Sequence, residues 1–187
     1  MTVTRKTFAQ TNAFAMQNGL ILGIWVLLAQ YAIIGSFTYP MFSMVNLFMM
    51  LFVPFLLFVM TKKFRTAVAS TGVFTITQGF LHTFLTTIYA STWVAIGVYV
   101  YLSYFDNGYL FDSYVAYFNR PEVNELLSQK EVQQELADTL QGMTFEEVIN
   151  GLRCVPPATY AMMVFYGNLM VSPLLSLLIA IFLRRLK

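Results

Sequence analysis

Apolar positions along this chain gather into four long runs, at about 11–36, 41–61, 75–102 and 157–183, with polar breaks between them. Roughly 20 apolar residues cross a bilayer as a helix, so each run predicts one transmembrane helix. The third run has an internal pattern. On a helix turning roughly 100° per residue, Thr71, Thr75, Gln78, His82, Thr86, Tyr89 and Trp93 fall within an arc of about 80°. That gives one polar face on an otherwise apolar helix. As one unbroken helix, Thr66–Tyr104 would be about 58 Å long, against a hydrocarbon core of about 30 Å. A break at Gly72 or Gly79 is expected, with a short interfacial helix leading into the third span.

The first run carries Ala15, Gly19 and Gly23 at four-residue spacing, which lets another helix approach closely. Packing inside a four-helix bundle and a dimer face both use such a stripe. Gln17, Asn18 and Gln30 are each expected to hydrogen-bond a neighbouring helix, because a bare amide in hydrocarbon is costly. The second run is apolar all round, with Asn46 its one amide, and Pro54 should kink it. Pro173 lies in the middle of the fourth.

Between the third and fourth runs the pattern shortens. Phe105-Asp106-Asn107-Gly108 reads as a turn. Tyr109–Phe118 is rich in Tyr and Phe, suiting a segment lying at headgroup level. Pro121 suits the first turn of a helix with Val123, Leu126 and Leu127 on one side. Ser128 with Glu131 fits a capping box ahead of Val132, Leu136 and Leu140, and Gly142 is placed to end that helix. Thr144 with Glu147 fits a second box, opening a helix over Phe145–Leu152. The 106–156 segment is thus a small helical cap, too small for a core of its own.

Composition fits this pattern. The chain of 187 residues is 58% hydrophobic and 11% charged, well below the roughly 25% charged residues of soluble domains. A single membrane domain over 1–187 follows. The first apolar run is too long for a signal peptide, so it is read as a retained helix. The net charge of +2 hides a strong segregation. All nine acids lie from Asp106 to Glu147, and the whole 106–156 segment holds only three bases, Arg120, Lys130 and Arg153. The other bases form three clusters: Arg5 and Lys6; Lys62, Lys63 and Arg65; Arg184, Arg185 and Lys187. Four crossings put all three clusters on one face. By the positive-inside rule both termini are cytoplasmic and 106–156 is extracytoplasmic.

Candidate chemistry is sparse. None of Asp, Glu, Lys or Arg lies within the four hydrocarbon spans, which counts against ion-coupled transport and proton pumping. His82 is the exception. It is either a proton- or ligand-sensing group in a polar cavity beside Gln78, or a neutral imidazole satisfied by a Thr or Gln of the next helix. One His, one lone Cys154 and no acid at depth make no metal ligand set. No catalytic elbow, nucleotide or nucleic-acid motif is present, so no catalytic residue, metal or cofactor is expected. Asp106 and Asp112, flanked by tyrosines, suit a cation or sugar site or plain solvated surface.

The order of these pieces resembles the bacterial membrane proteins grouped as domain of unknown function 4199. The resemblance rests on Gly19-Leu-Ile-Leu-Gly23 and Thr71-Gly72-Val-Phe74 followed by Gln78-Gly79-Phe80. It continues through Asp106, Met143-Thr144-Phe145-Glu146-Glu147 and the terminal Leu-Ser-Leu-Leu-Ile-Ala with its Arg-Arg. It implies an all-α, four-helix membrane bundle with a helical insertion before the last helix, and it supplies no activity. Three functional readings follow, in order: an accessory or scaffold subunit binding another membrane protein; a small-molecule or lipid transporter using the polar face of the third helix; an enzyme on a lipid-linked substrate. Membrane lipids are partners in each. A protein partner or a homo-oligomer in the membrane is expected.

Overall fold

The computed structural model describes residues 5–68, 73–129, 132, 134, 139–140 and 142–185. Seven named helices carry the fold: α1 (Arg5–Ser36), α2 (Met41–Val68), α3 (Ile76–Tyr104), α4 (Tyr109–Phe118), α5 (Pro121–Leu127), α6 (Phe145–Arg153) and α7 (Pro157–Leu183). Residues 132, 134 and 139 are helical as well. Helices α1, α2, α3 and α7 are long and apolar enough to cross a membrane. The protein is a helical membrane bundle.

Helix α3 is the hub, with α1 and α7 packed along it and α2 bridging α1, α3 and α7. Small residues set the closeness. A methyl group added at Gly19 would sit 2.4 Å from the Tyr89 Cβ and 2.9 Å from the Thr86 carbonyl oxygen. One added at Gly23 would sit 2.9 Å from the Trp93 Cβ. Ala15 is fully buried. The small-residue stripe of α1 is therefore pressed onto α3 within the chain. On the other flank Gly79 meets Ala180 of α7, where a methyl would lie 3.2 Å from that residue's Cα.

Helix α2 divides at Pro54. Before it almost every side chain is exposed; after it Leu57, Met60, Thr61 and Phe64 are buried. The first half follows α1 through two hydrogen bonds. Asn46 Nδ2 donates to the Ala29 carbonyl at 2.7 Å, and Trp25 Nε1 donates to the Met49 carbonyl at 2.9 Å. The second half enters the core of Leu22, Leu57, Met60, Phe64, Phe74, Ala90, Ile179 and Leu183. That end also carries Lys62, Lys63, Arg65, Arg184 and Arg185, and is called the basic end below. Arg65 Nη1 donates to the Leu183 carbonyl at 3.1 Å. Phe74 and Arg185 exchange backbone hydrogen bonds in an isolated antiparallel bridge.

That bridge corrects one expectation. No interfacial helix runs into α3 over residues 73–75: Val73–Thr75 is extended and paired with the chain's last described residue. Gly79 is no break either, since it sits inside α3 and is used for contact with α7. A break at Gly72 lies outside the described residues, as does Thr71. So do Glu131 and Leu136, and with them the Ser128–Glu131 capping box. Ser128 itself ends α5, its hydroxyl donating to the Glu125 carbonyl.

The opposite, cap end is built from α4, α5 and α6. Asn107 and Gly108 both take positive φ, 45° and 87°, turning the chain into α4. Asp106 organises the turn: it is buried, and its carboxylate accepts the backbone N–H of Gly108 at 3.1 Å and of Leu110 at 3.0 Å. It is thus neither solvated surface nor an open cation site. The Thr144–Glu147 capping box opens α6, and Gly142 before it has φ 81°.

The glycines make a paired stability test. Gly19→Ala forces α1 off α3 and is expected to cost about 1–3 kcal/mol. Gly167→Ala, where a methyl meets no atom within 4 Å, should gain up to about 1 kcal/mol of helix propensity. Opposite shifts of the thermal unfolding midpoint in detergent are expected; equal shifts would refute the close α1–α3 contact.

Candidate functional site

His82 lies at the centre of the bundle, fully buried. Three helices meet on its ring. Asn18 Nδ2 of α1 is 3.1 Å from Nε2, and Thr61 Oγ1 of α2 is 3.1 Å from Nδ1. Phe64 of α2 stacks on the imidazole at 4.3 Å between centroids, 7° from parallel. The hydrogens in this cluster have one consistent order, set from its far end. The Gly79 carbonyl can only accept, so the Thr83 hydroxyl donates to it at 2.9 Å. The Thr83 oxygen then accepts from the Thr61 hydroxyl at 2.9 Å. The Thr61 oxygen accepts from His82 Nδ1–H, leaving Nε2 to accept from the Asn18 amide. The imidazole is neutral, and every donor in the chain is used.

The rest of the α3 polar face is spent in the same way. Thr75 caps α3: its hydroxyl accepts from Gln78 N at 3.2 Å, and Gln78 Oε1 accepts from Thr75 N at 3.0 Å. Gln78 is therefore a capping residue, its side-chain oxygen turned to Thr75. Thr86 donates back to the His82 carbonyl at 2.8 Å. Tyr89 donates to Asn12 Oδ1 of α1 at 2.8 Å. Trp93 is 43% exposed at the edge of the contact. None of the six lines the cap-end cavities. His82, Thr86, Tyr89 and Trp93 meet Asn12, Asn18, Gly19 and Gly23 across one helix–helix seam.

The cavities lie elsewhere, at the cap end. One of about 360 Å³ sits between α1, α3 and α7 beneath α4, with Gln30, Tyr101, Tyr114 and Tyr160 among mostly apolar walls. A second, of about 240 Å³, opens beside Asp106 and Arg153. A third, again about 360 Å³, lies between α4 and α6. Leu102 and Tyr160 line all three. The exposed half of α2 follows α1 and contributes no residue to these three cavities, whose α3 wall is Gly97, Val98, Tyr101 and Leu102.

Helix α4 roofs this space and is tied down on both sides. Toward the α1–α2 turn, Tyr114 packs edge-on to Phe37, and Arg120 Nη2 donates to the Phe37 carbonyl at 2.8 Å. Toward α6, Phe118 meets Phe145 with ring centroids 3.7 Å apart, and Arg153 pairs with Asp112. Tyr160 of α7 donates to the Leu152 carbonyl at 2.7 Å, closing the ring. Asp112 is therefore an ion-pair partner. Among the described residues no three His, Cys, Asp or Glu side chains converge as a metal site.

Sequence reasoning missed this site, although its aromatic signal was present. Tyr109–Phe118 was expected along the surface at headgroup level; it is a helix whose Leu110, Phe111 and Tyr114 face the cavities.

The sequence model of a family described as "Protein of unknown function (DUF4199)" matches residues 13–185. No curated protein and no solved structure matches the chain.

The order of hydrogens at His82 yields a stability prediction. Thr61→Val leaves the His82 N–H and the Thr83 oxygen unpaired, and should cost about 1–3 kcal/mol. His82→Leu removes the same link from the other side. The double variant should lose clearly less than the two singles together, because both break one network. Strict additivity in thermal unfolding would show that the chain of hydrogen bonds does not act as a unit.

Proposed function

The chain belongs to the DUF4199 family of unknown function, and from its geometry we propose that it is an accessory subunit of the bacterial inner membrane, a scaffold that binds another membrane protein through its first helix. One observation carries this reading. Gln17 lies on the exposed side of α1 and has no hydrogen-bond partner among the described residues. It is 12 residues into the helix, about 18 Å from its start, and so within hydrocarbon. Asn18, beside it, is paired with His82 inside the bundle.

An amide facing lipid without a partner costs several kcal/mol. A helix of another protein that offers a polar group removes that cost. Gln10 and Ala13 are exposed on the same face at i, i+3 and i+7 with Gln17, giving a small and polar strip for close approach. Transport along the polar face of α3 has less support, because α1 and α2 close that face. Catalysis has no group to perform it in the described bundle.

The orientation proposed with this reading puts the basic end in the cytoplasm and the cap outside. It is supported by Arg65 and Arg185 meeting the ends of α7 and α3 on one side of the bundle.

Two measurements test these readings. A photo-reactive phenylalanine analogue at Gln17 should cross-link, in intact membranes, to one multi-pass membrane protein, while the same probe at exposed Leu28 should not. Gln17→Leu should lose that partner on purification without lowering the protein's own unfolding midpoint. A cross-link to a second copy, or none, overturns the accessory reading. For orientation, exposed Cys154 should react with a membrane-impermeant maleimide added outside whole spheroplasts. A cysteine placed at Lys63, in a chain lacking Cys154, should not; the reverse pattern would invert the topology.

A further inference from the structure

The cap-end cavities share walls, and their chemistry changes in order from bundle to mouth. The chamber between α1, α3 and α7 is apolar at its base, where Leu27, Gly97, Val98 and Val164 meet. Gly97 is 7 residues, about 10 Å, below the end of α3, so the base lies at hydrocarbon depth. Tyr101 and Tyr160 stand at the next level. At the mouth stands one ion pair, with its two members differently placed. Arg153 lines the cavity together with Asp106, whose carboxylate accepts the N–H groups of Gly108 and Leu110, whereas Asp112 does not line it and is 64% exposed at its side chain. The first turn of α6 carries exposed Glu146 and Glu147, the latter in the capping box. Arg120, the other described base of the cap, is used on the Phe37 carbonyl.

We propose that these adjoining cavities together form a binding site for one zwitterionic phospholipid, with an acyl chain in the apolar chamber and the phosphate beside Arg153. A volume in this range is that of a ligand pocket, and the surrounding bilayer supplies the occupant. The charge order selects the headgroup. In an ethanolamine lipid the phosphate is joined to the glycerol and the ammonium is at the tip. Seated chain-first, it brings the phosphate to Arg153 and the ammonium to Asp112 and the acidic rim. An anionic headgroup without an amine meets the same acids uncompensated, which is a like-charge penalty. Neither Gln10 nor Gln17 lines these cavities, so the site is independent of the partner contact proposed for α1.

The test uses the full-length protein in bilayer discs of equal parts phosphatidylethanolamine and phosphatidylglycerol with identical chains. After transfer to mild detergent, native mass spectrometry counts and identifies retained lipid. One lipid per chain is expected, with the ethanolamine form about fivefold or more over the glycerol form. Val164→Trp and Val98→Phe fill the chamber from two different helices and should abolish retention. Arg153→Gln should keep a lipid but lose the preference. Gel filtration and circular dichroism identify folded variants, and Val164→Leu, a smaller step on the same wall, replaces any that misfold. No retained lipid on the parent chain, retention unchanged in the filled variants, or an unchanged preference in Arg153→Gln each overturns the proposal.

Discussion

A single neutral imidazole sets the register of three helices. In lipid no water can satisfy a polar group that packing leaves bare, so a histidine at mid-bundle must find both its partners on neighbouring helices. His82 finds Asn18 on α1 and Thr61 on α2, and Thr61 passes the bond on to Thr83 and the Gly79 carbonyl. Sliding α2 by one residue would break this chain at both Thr61 bonds, and sliding α1 would break it at Asn18. The cluster therefore selects one arrangement among several that apolar packing alone would accept. The chain of hydrogen bonds is complete: the last acceptor is a backbone carbonyl, and both ring nitrogens are occupied.

The close contacts follow from that register. With Asn18 against His82, Gly19 and Gly23 fall opposite Tyr89 and Trp93, where only hydrogen fits. Across α3, Ser172, Ser176 and Ala180 continue a small-residue row along α7. The hydroxyls of Ser172 and Ser176 are buried without a partner among the described residues. Their role there is small volume, which lets α7 approach α3 as glycine lets α1 approach it. The basic end is thus tight, bound by aromatic packing, the Arg65 cap and the Phe74–Arg185 bridge. The cap end is loose because α2 has left the bundle interior by Pro54.

Much of this was legible in the sequence, where it rests on local pattern. The four spans follow from hydropathy and length. The α1 stripe and the α3 polar face were both visible, but their relation was not: each was read alone, and they prove to be the two faces of one seam. Proximity in sequence misled at Gln78. It is one turn from His82 and was paired with it, yet Gln78 is drawn back to cap Thr75, and His82 is served by residues 64 and 21 positions away. Gln17 shows the converse, an amide expected to be satisfied within the bundle that faces outward. The cavities left only the aromatic run of α4 as a local signal, because the rest of their walls comes from α1, α3, α6 and α7, far apart in sequence.

The cap's composition makes sense against those cavities. A segment this small cannot bury a core of its own, and it does not try to. Its aromatic side, Phe111, Tyr114, Phe118 and Phe145, is turned onto α7, onto the α1–α2 turn and between α4 and α6. Its described acids are exposed, except Asp106, whose carboxylate accepts N–H groups at the first turn of α4. Two of its bases are used as fasteners, Arg120 to the α1–α2 turn and Arg153 to Asp112. Each fastener is polar and close to the surface, where ion pairs contribute little. What holds the roof is therefore mainly the burial of aromatic rings over a space the bundle leaves open. That makes the contents of the space part of the roof's stability: filling it with a chain adds contacts to α4 and α7 that no side chain supplies.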